Sequence, residues 1–427
     1  MFLLYNLLLS ITLPIWFPVV WLRAKQRAIQ PNWNERWGNF PFAHEKGKRR
    51  IWIHAVSVGE VLAVAPVLRE LRSQIPQHEI VLSVTTSSGH TTAEGENEKS
   101  PGLYDHLVYF PFDVARCMLA AMQRVQPDVV AVMETELWMS LFWAAKVFDA
   151  KTLLINGRIS DRSYPRARLI RFWYKAMFKE LDRCLMQTET DAQRILSLGA
   201  RTAEVFGNCK FDQASPDEPP DKAAVREEFG LPAAKPVVVI GSTRGEAEER
   251  LVLGAIADVH AWKFSQLFIV HAPRHLERVP DLQRIAREQL GLEPGLWSRR
   301  DTGRYVILDT YGDLARSYAA ADVVIVGGGF EDLGGQNLIQ PLALGKPVIH
   351  GPHMQNFRAA AEAAAEVGAT VVAATSAELT KELDGLLADT DRRVAMREAA
   401  TGLVRQHLGA GKRYAEAIAE AARSASK

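Results

Sequence analysis

The chain is poor in cysteine. Its three thiols, Cys117, Cys184 and Cys209, show no Cys-x-x-Cys or Cys/His ligand spacing, which excludes a disulfide framework and a zinc knuckle. They read as reduced, intracellular thiols. Net charge is equally scarce: 51 Lys+Arg against 50 Asp+Glu leave +1 over 427 residues. No global field of the kind that drives generic nucleic-acid binding exists, and an anionic partner must be met by a local patch. No Gly-Lys-Ser/Thr closes a P-loop, and Gly409-Ala410-Gly411-Lys412 runs into Arg413. The histidines never form His-Glu-x-x-His and no Gly-x-Ser-x-Gly is found, so metalloprotease and α/β-hydrolase chemistry have no support. Asp389-Thr390-Asp391 has acid-x-acid spacing but lies between helical segments and reads as a helix cap. No cofactor and no catalytic metal are expected.

One long apolar run is present. Residues 1–22 carry no charged side chain, and a helix of that length covers about 32 Å, close to the hydrocarbon core of a bilayer. Arg23, Lys25 and Arg27 follow it rather than precede it, which argues against a cleaved signal and keeps the rest of the chain on the cytoplasmic side. Asn6, Ser10, Thr12, Pro14 and Pro18 weaken a clean span, while Trp16, Phe17 and Trp21 suit a helix lying among headgroups. The expectation is a membrane anchor that either crosses the bilayer or lies along it.

Beyond Arg50, short β-branched runs alternate with segments of helical period, the pattern of a parallel sheet covered by helices. Strands are predicted at 51–55, 80–85, 129–133, 153–156, 184–187 and 204–206, with helices at 60–72 and 115–125 among those between. The Pro-, Asp- and Ser-rich stretch DQASPDEPPD reads as a linker at 212–222. A second alternating series follows, with strands at 237–241, 267–271, 305–308, 323–326, 348–349 and 370–372. The class is therefore α/β: a Rossmann-like domain at 23–211 and a second one at 223–427, facing one another, with the last helices of the second free to return to the first. Ligands of such sheets sit beyond the carboxyl ends of the strands.

Candidate residues follow those strand ends. The first strand runs into Val56-Ser57-Val58-Gly59-Glu60, which puts a carboxylate where it could act as general base or simply complement a helix N-terminus. Glu134 and Glu136 follow the strand at 129–133 in the same way. Between Asn156 and Lys179, Arg158, Arg162 and five further cations interleave with aromatics, suiting anionic lipid headgroups or a phosphorylated lipid, or else a solvated helix face. In the second domain Ser242 and Arg244 of Gly-Ser-Thr-Arg stand at a strand-to-helix turn suited to phosphate. Gly327-Gly328-Gly329 and Gly334-Gly335-Gln336-Asn337 would let backbone approach a ligand.

The ordered set HAVSVGE (54–60), METELW (133–138), NGRISDRS (156–163), GNCKFD (207–212), GSTR, APRHLER, DTYGDL, ADVVIVGG, GGQN and GPHMQNF closely resembles the 3-deoxy-D-manno-octulosonic acid (Kdo) transferases of lipopolysaccharide assembly, over essentially the whole chain. The resemblance implies a GT-B fold, a CMP-Kdo donor, a lipid A precursor (tetraacyldisaccharide 1,4'-bisphosphate) as acceptor, an anionic inner-membrane surface as partner, and no nucleic acid. It implies Glu60 as the base, with Glu134 and Lys210 stabilising the transition state. Ser57 and Gly59, with Arg158, Arg162, Ser242 and Arg244, are candidate phosphate or acceptor contacts. CMP contacts are implied at Pro273, Arg274, Tyr311, Gly312, Asp313, Asn337, Leu338, Ile339 and Gln340. The chain departs from the family pattern at Gln336 and Gln340, where His and Glu are usual, and at Met139, Cys209 and Arg244. Two other readings remain: a GT-B enzyme using another nucleotide sugar, and a catalytically silent membrane-tethered binding protein.

Overall fold

A computed structural model describes residues 2–25, 31–43, 45–160, 163–213, 220–262 and 266–425. The chain divides into two compact units, one made of residues 1–213 and 407–427, the other of 214–406. In the first, seven strands are β1 (Arg50–His54), β2 (Glu79–Val84), β3 (His106–Tyr109), β4 (Val129–Met133), β5 (Lys151–Gly157), β6 (Arg183–Met186) and β7 (Glu204–Val205). They pair in parallel in the order β3-β2-β1-β4-β5-β6-β7. Strands β1 and β4 are buried at every position, as expected when helices cover both faces.

The second unit repeats the plan with β8 (Val237–Thr243), β9 (Phe268–Pro273), β10 (Gly295–Leu296), β11 (Tyr305–Ile307), β12 (Val323–Val326), β13 (Val348–His350) and β14 (Thr370–Val372). Its order is β10-β11-β9-β8-β12-β13-β14. The sheet order reverses between β1 and β4 in one unit and between β8 and β12 in the other, and such switch points open the crevice that binds ligands.

The last helix, Ala410–Ser424, belongs to the first unit and packs on the helix Val58–Gln74, so the second unit stops at Gln406 rather than at 427. Its inner face is alanine-rich, which allows close approach, and Ala415, Ile418 and Ala422 join the core of β1, β2 and β4. Tyr414 is fully buried and its hydroxyl donates to Gly207 O at 2.7 Å. The linker expected at 212–222 is shorter. The Asp212 carboxylate accepts from the N–H groups of Gly409, at 2.7 Å, and Gly411, so it is an integral part of the first unit. At the other end Asp221 caps the helix Lys222–Glu228 through Ala224 N–H at 2.9 Å. Residues 214–219 of that linker lie outside the described residues.

Glycines after β12 and β13 have a packing reason. A Cβ on Gly351 would sit 2.0 Å from Gly329 O, and one on Gly327 would sit 2.7 Å from the Thr243 backbone. Gly351→Ala should therefore destabilise the second unit by about 1–3 kcal/mol, the usual range for overpacking, read as a lower denaturant midpoint.

Candidate active site

In the first unit the loops after β1 and β4 flank the switch point, and each ends in a carboxylate. Ser57 is the N-cap of the helix Val58–Gln74 but makes no side-chain capping bond. Glu60, in the first turn, folds back so that Oε2 accepts from Val56 N–H at 2.9 Å. Its side chain is buried, 7% exposed. Burial first, then the nearby Glu134 and Glu136 carboxylates, push its pKa up to about 8, while the Val56 N–H and the Lys210 ammonium oppose the rise. A carboxyl held there is a far stronger base once ionised than an ordinary glutamate.

Glu134 sits at φ +53, a left-handed conformation that costs a non-glycine residue energy. The turn is held by its N–H donating to Ile155 O at 3.0 Å. Its Oε1 accepts from Lys210 Nζ at 2.8 Å, with both side chains mostly shielded from solvent. Lys210 lies in the short 3-10 turn Cys209–Gln213, which Asn156 and Asn208 hold through the N–H groups of Cys209 (3.2 Å) and Lys210 (3.0 Å). The fold thus gathers Glu60, Glu134 and Lys210 at one sheet edge. Glu136 joins them, half-buried and with its pKa raised chiefly by burial. Gly59 lies in the same helix start. Arg158 stands after β5; burial raises the pKa of the neighbouring Asp191 carboxyl, and the Arg158 charge is among the groups that oppose that rise. Arg162 lies outside the described residues.

An apolar cavity of about 380 Å³ opens in this unit beside the same loops, lined by Val20, Trp33, Phe112 and Trp138, with Arg36, Thr85 and Thr86 contributing polarity. Thr85 and Thr86 both donate their N–H groups to Val56 O, so the cavity wall is one hydrogen bond from the Glu60 turn. This volume falls in the usual range of small-molecule sites.

In the second unit all strands are parallel, so the loops after β8, β9, β11 and β12 emerge at one edge. Pro273 ends β9, and Arg274 has an exposed side chain while its N–H donates to Thr243 O at 2.9 Å. Tyr311 is 75% exposed, Gly312 takes φ +102 as N-cap of the helix Asp313–Ser317, and the Asp313 carboxylate accepts from the Thr310 hydroxyl. Asn337 Oδ1 accepts from Ile339 N–H at 2.9 Å. Leu338 and Ile339 are buried, so only their backbone can face a ligand, whereas Gln340 is half-buried.

The turns thought suited to phosphate are built differently from the sequence reading. Glu248, fully buried, accepts from Arg244 N–H at 2.6 Å and Phe330 N–H at 3.2 Å, and further N–H groups of Gly328 and Gly329 also point at it. The N–H groups of Arg244 and of Gly328, Gly329 and Phe330 are thereby occupied by an internal carboxylate, and the Arg244 guanidinium donates to Leu333 O at 3.1 Å. Ser242 adopts φ +61. Glu248 is the residue that sequence reasoning passed over, and only its place among the acidic residues after Arg244 hinted at it. Among the described residues no group of three or more His, Cys, Asp or Glu is arranged to hold a metal ion.

A family model for "3-Deoxy-D-manno-octulosonic-acid transferase (kdotransferase)" matches residues 31–213. The 3-deoxy-D-manno-octulosonic acid transferase of Bordetella pertussis is 33% identical over 382 residues, covering 86% of each chain. The chain belongs to the Kdo transferase family. Another Kdo transferase, from Haemophilus influenzae, is 27% identical over 411 residues and covers 93% of each chain. The crystal structure of Acinetobacter baumannii MurG superposes with a TM-score of 0.57 at 14% identity, covering 87% of this chain and 99% of that one. At that identity it shows the fold, GT-B, and nothing finer. The chain is accordingly a two-domain glycosyltransferase.

Proposed function

We propose that the protein transfers Kdo from CMP-Kdo to the tetraacyldisaccharide 1,4'-bisphosphate precursor of lipid A, with Glu60 as general base. The observation that carries this reading is the buried Glu60 carboxyl, lifted to about pH 8 and set beside the Glu134–Lys210 pair. The acceptor hydroxyl gives its proton to Glu60 as its oxygen attacks the anomeric carbon of Kdo. The bond from that carbon to the phosphate oxygen breaks, and CMP departs with the electron pair. Lys210, held on Glu134, is placed to balance negative charge near the reacting centre. The exposed Arg274 guanidinium supplies a donor for the phosphate of CMP. A lipid acceptor is supported by the apolar cavity beside the Glu60 turn and by the apolar N-terminal helix that contributes Val20 to it. That helix also supports a place at the cytoplasmic face of the inner membrane.

The reading is tested by incubating the protein in detergent with CMP-Kdo and the tetraacyl precursor and weighing the product. An added Kdo mass supports it, and release of no CMP above a Glu60→Ala control refutes it. Gln336 and Gln340 favour one second reading, a different nucleotide sugar, since Gln340 accepts hydrogen bonds without bringing charge. Thermal stabilisation by a UDP- or GDP-sugar and not by CMP would select it.

Lys210→Met should move the rising limb of the pH–rate profile to higher pH. Lys210 is the cation that opposes the upward shift of Glu60, and a merely structural lysine would leave the limb in place.

A further inference from the structure

The N-terminal helix Phe2–Lys25 has two stripes. Phe2, Tyr5, Asn6, Leu9, Trp16 and Phe17 are half-buried, the three-and-four spacing of a face that packs along its length. Leu3, Leu7, Ile11, Ile15 and Leu22 point the other way, each at least 53% exposed.

The packed stripe is bonded to the first unit at both ends. Near its start Phe2 stacks on Trp143 at 4.1 Å, and the Tyr5 hydroxyl donates to Asp113 Oδ2 at 2.6 Å. Asn6 donates to Ser140 Oγ at 3.1 Å and accepts from Ala115 N–H at 2.7 Å. That last bond caps the helix Ala115–Val125, whose own N-cap residue, Val114, offers no side-chain acceptor. Asp113 does the same for the helix Met139–Val147 through the N–H groups of Ser140 and Leu141. Eleven residues later Trp16 meets Phe112 at 5.3 Å, and Phe17 meets Trp37 at 5.3 Å. The two docking points are about 16 Å apart along the axis. A helix standing across a bilayer would carry one of them into the hydrocarbon, away from a domain that sits in water.

Beside the helix start, the stretch from Tyr164 to Lys179, helical at Tyr164–Leu169 and Arg171–Phe178, exposes Leu169, Ile170 and Phe172. Arg166, Arg168, Arg171, Lys175 and Lys179 are exposed on the same stretch. Trp173 touches Tyr5 at 5.5 Å, and Phe2, Phe172, Lys175, Lys179 and Glu180 line one recess. An apolar stripe bordered by cations matches the boundary between acyl chains and anionic headgroups.

We infer that the helix Phe2–Lys25 lies in the plane of an anionic lipid surface, docked along the first unit, and does not cross the bilayer. This goes beyond the transfer reaction and does not depend on it.

The test places single cysteines at Leu3, Ile11 and Leu22 of the full-length protein, all exposed, while the three native cysteines are buried. A fluorophore on each is quenched by lipids brominated near the headgroup or at the chain end, in phosphatidylglycerol-containing vesicles. Similar quenching at all three positions, strongest with bromine near the headgroup, is the expected result. Strongest chain-end quenching at Ile11 overturns the proposal, because only a crossing helix puts its middle deepest; absence of quenching at all three overturns it too. On phosphatidylcholine alone the bound fraction should fall several-fold, and equal binding would refute the role of anionic lipid.

Discussion

Glu60→Gln is expected to lower kcat for Kdo transfer by about 10²–10⁴-fold, the usual worth of a positioned general base. The amide keeps the shape of the carboxyl, and its carbonyl can still accept from Val56 N–H, so the helix start survives while the proton acceptor is lost. In the wild type, kcat/KM should rise about tenfold per pH unit below the pKa of the free enzyme's base and level off beyond it, with that bend near 8. The variant should lack the bend.

Stability supplies an independent reading. The folded-state pKa of Glu60, about 8, lies above its ordinary value of 4.5, so the native state holds a proton that the unfolded chain has released. The stability tied to that proton is complete below about pH 4.5 and is lost as pH rises through 8. Glu60→Gln removes this dependence, and the variant should gain on the wild type between those limits in urea titrations at several pH values. A flat difference would show that Glu60 is ionised throughout.

The second large effect is expected from removing 409–427. Although those residues come last, their helix fills the face of the helix Val58–Gln74 and buries Tyr414 against the strands of the first unit. Truncation should therefore unfold the first unit, with loss of hydrogen-exchange protection in β1 and β4, while β8 and β12 keep theirs. Tyr414→Ala is the milder version and should cost about 3–5 kcal/mol, as large aromatic deletions in cores do. Equal loss in both units would refute the division of labour.

Much of the fold was legible because runs such as Val129–Met133 and Val323–Val326 are both strongly β-branched and fully buried. β3 escaped because His106–Tyr109 holds a single β-branched residue, and β10 because Gly295–Leu296 holds none. Glu60 was legible as a strand-end acid. The Glu134–Lys210 pair was not: its partners lie 76 residues apart, and only resemblance to a family joined them. Glu248 stayed hidden because its partners come from two different loops, so no local spacing reveals that it would occupy their N–H groups. Asn6 looked like a flaw in an apolar helix until the helix it caps, 109 residues away, was in view.

The return of the final helix to the first unit also sets an order of events during synthesis. Asp212 and its partner Gly411 are 199 residues apart, and at roughly 5–20 residues per second they leave the ribosome about 10–40 s apart. For that interval the apolar face that the helix Val58–Gln74 turns to the final helix stays uncovered, while every strand of the second unit emerges and can close. The domain that begins first is the one that finishes last, so a nascent chain stalled between them exposes the apolar face of the helix whose first turn holds Glu60 to chaperones and proteases.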